Sequence, residues 1–139
     1  MNKLNLSICA AILIFLTLSC SMMKDSKAVG PAVEKFHAQF NEQQFSQIYR
    51  DSGDQMKEAA TEKQLTDLLD AVHRKLGTVQ KSAAASWHVN SGPLSSTVTT
   101  SYDTQFTEGK ATEQFVFSVQ GETVKLIGYN INSTDLITK

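Results

Sequence analysis

The hydrophobic period of this chain changes at Gly77, and that change limits the folds open to it. Upstream, apolar residues recur every three or four positions; downstream they recur at every second one. A helix turns one face to a core with a 3.6-residue repeat, and a strand does so with a repeat of two. The sequence therefore predicts helices followed by strands, an α+β layer rather than an alternating α/β sheet.

On the helical side, Val29, Val33, Phe36 and Phe40 form one stripe. They predict a helix opening near Gly30-Pro31, where proline lacks only an N–H that the first turn leaves unpaired. Phe45, Ile48 and Tyr49 predict a short second helix ending around Ser52-Gly53. The third is marked at both ends: Thr61 and Gln64 have capping-box spacing, and Arg74, Lys75 and Gly77 suit a C-terminus. Its apolar face is Leu65, Leu68, Leu69, Val72 and Leu76, which predicts a helix over residues 62–76.

Beyond Gly77, Val79, Ala83, Ala85, Trp87 and Val89 share one parity, and Ser91-Gly92-Pro93 ends the run. Val98, Thr100, Tyr102, Thr104 and Phe106 mark a second strand. Ala111, Phe115, Phe117 and Val119 mark a third, with turns at Glu108-Gly109 and Gly121. In the fourth, Val124 and Leu126 hold one parity and Ile127, Tyr129 and Ile131 the other, with Gly128 in between. A strand buried on both faces or a β-bulge would explain the slip, and the bulge is expected because it also bends the sheet around the helices. The expected fold is N-terminal helices packed on a curved four-stranded antiparallel meander. Trp87, Phe115, Phe117, Leu68 and Val72 should be buried, and Thr97, Thr99 and Ser101 exposed.

In front of this domain, Lys3 is the only charge before Lys24, and only Asn5, Ser7 and Thr17 interrupt the apolar run from Leu4 to Leu18. That run is shorter than the ~20 residues a membrane-spanning helix needs; it fits a secretory signal peptide. Leu16-Thr17-Leu18-Ser19-Cys20 resembles a bacterial lipobox, whose cysteine takes diacylglycerol through a thioether before cleavage on its N-terminal side. Ordinary signal-peptidase cleavage after Ser19 is the competing reading. The expected organisation is a signal peptide over 1–19, a lipidated Cys20 with a short tether over 20–29, and one domain over 30–139. Ser21, with no Asp after the cysteine, resembles the signal for the outer membrane, should the cell be Gram-negative. Only Cys20 would then remain of the two cysteines, so no internal disulfide is expected and the core alone must hold the fold.

The segments KLGTVQKSAAASWHVN, YDTQF, EGKATEQFVF and LIGYNINS resemble a family of small bacterial lipoproteins with an uncharacterised domain, over residues 31–137. The resemblance rests on Gly77, Trp87, Tyr102, Gly109, Glu113, Phe115, Gly128 and Tyr129. It implies a cystatin-like fold, close to nuclear transport factor 2-like domains, many of which hold a cavity between sheet and helices. No catalytic residue is implied by it.

Chemistry is sparse. A formal charge of −1 gives no reason to expect nucleic acid. His37, His73 and His88 lack metal-ligand spacing, no phosphate loop or nucleophile motif is present, and no metal or cofactor is expected. The anomaly is Glu113, which shares the core-facing parity of Phe115, Phe117 and Val119; a buried carboxylate must find partners. Asp103 falls on the wet parity. The candidate pocket set is Glu113, His37, His73, Trp87, Tyr102 and Tyr129. Two functions follow. One is a noncatalytic, lipid-anchored envelope protein binding a small ligand or an envelope protein; the other is an enzyme using Glu113 with a histidine. A deep pocket holding Glu113 within hydrogen-bonding reach of a histidine would favour the enzyme.

Overall fold

The computed structural model of the chain describes residues 27–138. The expected signal peptide, the expected lipidation at Cys20 and most of the expected tether fall outside the described residues. Helix α1 covers residues 27–41, followed by α2 (Phe45–Asp51), α3 (Asp54–Ala59) and α4 (Glu62–Leu76). Strands β1 (Val79–Ser91), β2 (Ser96–Phe106), β3 (Lys110–Gln120) and β4 (Thr123–Asn132) come next, then one helical turn, α5 (Asp135–Thr138). The strands pair antiparallel in the order β1-β2-β3-β4, and the N-terminal helices pack on this open sheet, as the change of period predicts.

Core residues come from the expected stripes: Val29, Val33, Phe36 and Phe40 of α1, and Leu65, Leu69, Val72 and Leu76 of α4. They meet Val98, Phe106, Phe115, Phe117 and Val119 of the sheet. Because Val29 is itself a core residue, α1 is already running at residue 27, upstream of Gly30-Pro31, and Pro31 lies inside it. Leu68, expected to be buried, is 40% exposed. The stripe of α4 closes with Leu65, Leu69, Val72 and Leu76, and Leu68 falls on its flank. Helix α3 escapes the sequence reading because Met56 is its single buried residue, too little to establish a period. It is held beside β4, where the Gly53 N–H donates to the Leu126 carbonyl at 2.8 Å.

The ends of α4 follow from its sequence. The Thr61 hydroxyl accepts from the Gln64 N–H at 3.3 Å, and the Gln64 amide oxygen accepts from the Thr61 N–H at 2.8 Å. Thr61→Ala removes one half of this box and should cost about 1 kcal/mol, read as a lower denaturant midpoint. Gly77 closes the helix at φ +78°, and a Cβ there would stand 1.8 Å from the Thr107 hydroxyl, so both conformation and space demand glycine.

Strands β2 and β3 alternate as read: Val98, Thr100, Thr104, Phe106, Phe115 and Phe117 are buried, while Thr97, Thr99 and Ser101 are partly open on the opposite face. In β4 the predicted bulge is present. Val116 pairs Gly128 and Phe117 pairs Leu126, leaving Ile127 as the extra residue.

Strand β1 departs from simple alternation. Gln80 and Ala85 are extra residues at two register shifts, so Ser82 and Ala84, not Ala83 and Ala85, stand opposite the inward Thr104 and Tyr102. Trp87 faces the helix side, opposite Thr100, yet is 56% exposed rather than buried. It belongs to an edge strand in which only Val89 is buried.

Candidate functional site: a buried carboxylate cluster

Glu113, the fourth residue of β3, occupies a core position and is 1% exposed. It lies in the inward row Ala84–Tyr102–Glu113–Ile131, which crosses all four strands. Its Oε2 meets His37 Nε2 at 2.7 Å and accepts from the Thr104 hydroxyl at 2.6 Å; its Oε1 accepts from the Tyr129 hydroxyl at 2.8 Å. The partners come from α1, β2 and β4, so the cluster ties the helical layer to three neighbouring strands. His37 reaches it because it follows Phe36 at the edge of the α1 stripe, and its ring packs edge-on against Phe115 at 5.8 Å.

A buried carboxylate is tolerated when its lone pairs are met by donors. Here Oε1 accepts from Tyr129 and Oε2 from Thr104, and with the His37 proton on Nε2 the imidazole adds a third donor. Burial first, and the negative charge of Glu113 second, hold the Tyr129 hydroxyl well above its ordinary value of 10. It therefore remains a donor at any physiological pH. The hydroxyl end is enclosed even though the residue as a whole is half-buried.

Of the candidate pocket residues, the structure brings together Glu113, His37 and Tyr129. Tyr102 lies beside them, half-buried and edge-on to Phe115 at 5.8 Å, its hydroxyl raised by burial and then by Glu34. His73 is elsewhere, against Phe40 at 5.4 Å and Phe45 at 6.1 Å, with its Nε2 buried and unpaired. Trp87 stands apart on the sheet edge, and His88 and Asp103 are exposed. Thr104 is the member that sequence reasoning missed as a partner. It does sit in the inward row of β2, two residues from Tyr102, and a hydroxyl at a core position was the signal available.

Three surface depressions border the described residues, and of the cluster only Thr104 lines one of them; Glu113, His37 and Tyr129 line none of the three. Phe36, Phe115 and Tyr129 fill the space between α1 and the sheet, with ring centres 4.9–5.3 Å apart. The largest of these three depressions, about 590 Å³, is on the helix-free face. It follows the outward row Ala83–Asp103–Thr112–Asn132, flanked by Lys81, Gln105 and Lys110. Among the described residues, no cluster of His, Cys, Asp and Glu is arranged to hold a metal ion.

Fold and cluster together define a small α+β domain built around a closed polar core. The chain belongs to a family described as protein of unknown function (DUF4019), which matches residues 32–129. That span begins in α1 and ends on Tyr129, and so contains the whole cluster of His37, Thr104, Glu113 and Tyr129. No curated protein matches the chain.

Proposed function

We propose that this protein is a noncatalytic, lipid-anchored component of the bacterial envelope whose small domain, cystatin-like in class, binds a small ligand or an envelope protein. The observation that carries the noncatalytic half is the closed state of Glu113. General acid–base catalysis needs a group within reach of a substrate proton, and this carboxylate has both oxygens engaged and lines none of the depressions described above. A small polar ligand would find better terms on the helix-free face. There Lys81 and Lys110, Gln105 and Asn132 offer donors and Asp103 an acceptor around the small side chains of Ala83 and Thr112.

The anchored half rests on Leu16-Thr17-Leu18-Ser19-Cys20 and on the apolar run before it. Acyl chains there would hold the domain at a membrane surface, each buried CH₂ contributing about 0.8 kcal/mol. Cells fed an alkyne-tagged fatty acid should label the wild-type chain and leave Cys20→Ala unlabelled and largely released from washed membranes. A mature chain whose mass shows an unmodified N-terminal Cys20 would exclude the anchor.

One observation favours the enzyme reading, the 2.7 Å contact of His37 with Glu113. It meets the requirement of reach, but neither residue lines the depressions described above.

A further inference from the structure

We infer that the free edge of β1 is a homodimer interface, on which β1 of a second copy pairs antiparallel about a two-fold axis passing beside the bulge at Ala85. The strand has thirteen residues, only Val89 buried, and within the described residues the sheet ends with it. At its beginning the edge is capped: the Asn41 side chain receives the Val79 N–H at 2.8 Å and donates to the Val79 carbonyl at 3.1 Å, as a neighbouring strand would. Beyond that, Ser82–Asn90 carries no formal charge and no proline, and it exposes Ala83, Ala84, Ala85 and Trp87. Edges that avoid pairing bear charges, prolines or bulges. Of these, the exposed apolar stretch keeps only the bulge.

The bulge is what makes the strand complementary to itself. In an antiparallel pair, residues directly opposite share a face, and a two-fold axis normal to the sheet keeps each face on its own side. The inward residues of β1, those opposite Thr104, Tyr102, Thr100 and Val98, are Ser82, Ala84, Trp87 and Val89. The outward ones include Lys81, Ala83, Ser86, His88 and Asn90. An unbroken strand could not place Ala84 and Trp87 on one face, because they are an odd number of positions apart. The extra Ala85 does so, and the face pattern becomes symmetrical about Ala85-Ser86.

Pairing around that centre sets inward against inward and outward against outward. Trp87 lies against Ala84 of the second copy, Val89 against Ser82, His88 against Ala83 and Asn90 against Lys81. Both large indoles then meet the smallest available partners, and no like charges are opposed. The eight-stranded sheet so formed covers the exposed Trp87 twice over. One strand pair lies at the small end of specific interfaces, below about 1,200 Å², so the dimer should be concentration-dependent. This inference stands independently of the lipid anchor and of any ligand.

The experiment uses the full chain in detergent. Sedimentation should show a monomer–dimer equilibrium, and the emission of Trp87, the only tryptophan, should shift to the blue as concentration rises. Ala84→Glu places a carboxylate against the partner's indole. It should abolish both changes while leaving the far-UV spectrum intact; Trp87→Ala should abolish the dimer by the opposite route. Register is tested separately. Mild oxidation of the double variant Ala83→Cys, His88→Cys should give a disulfide-linked dimer above the background of the unmodified chain, and either single variant should not. A chain that is monomeric at all concentrations overturns the inference. So does a dimer indifferent to Ala84→Glu and Trp87→Ala, or one in which the double variant fails to cross-link.

Discussion

Phe115→Ala should lower the free energy of unfolding by about 3–5 kcal/mol, seen as a fall in denaturant midpoint with little change in slope. Phe115 is fully buried, and its ring contacts those of Phe36 at 5.1 Å, Tyr129 at 5.3 Å, Tyr102 and His37 at 5.8 Å and Phe117 at 6.0 Å. These neighbours stand on α1, β2, β3 and β4, so no single element can slide inward to fill the hole. The cost should fall at the upper part of the range for that reason. The cavity also lies against His37 and Tyr129, two of the three donors to Glu113, so truncation loosens the polar cluster as well as the packing. A loss under about 1.5 kcal/mol, the range of well-tolerated core swaps, would mean that the aromatic cluster is not a rigid core.

The residues that made the fold legible are those whose burial is one-sided. Phe115, Phe117 and Val119 alternate with Gln114, Val116 and Ser118 because β3 is an inner strand with a packed face, and the slip at Ile127 shows as a bulge because strong apolar residues flank it. Strand β1 gave no such purchase. Ala83, Ala84, Ala85 and Ser86 are small enough for either face, so a bulge among them leaves no trace in parity, and the edge position frees Trp87 from the core.

The site divides in the same way. Glu113 announced itself as a charge among core residues. His37 and His73 both flank apolar helix faces, and the sequence treats them alike. Only the folded chain, bringing together residues 76 apart, decides that His37 is the partner. The depression around Lys81 and Lys110 depends on strand register across the sheet, which no local pattern fixes.

Glu113→Leu should be as damaging as the loss of Phe115, although it replaces a charged side chain with an apolar one of similar size in a core. It leaves His37, the Thr104 hydroxyl and the Tyr129 hydroxyl facing hydrocarbon, and each buried donor stripped of its acceptor costs about 1–3 kcal/mol. Glu113→Gln should cost less, about 1–3 kcal/mol. Its amide oxygen still accepts from His37 and Thr104, and its NH₂ turns toward a Tyr129 oxygen that can accept. The two variants thus separate shape from charge and acceptor count. Coupling gives a further check: Tyr129→Phe should destabilise the wild type more than it destabilises Glu113→Leu, where its acceptor is already gone. Equal effects in the two backgrounds would show that the 2.8 Å contact contributes nothing. Glu113→Gln also addresses the enzyme reading. Removing a general base costs about 10²–10⁴-fold in rate, whereas a purely structural carboxylate can be exchanged with whatever the folded domain binds left largely intact. A folded Glu113→Gln protein that lost a measured turnover by such a factor would move this carboxylate from the core of the fold to the centre of its chemistry.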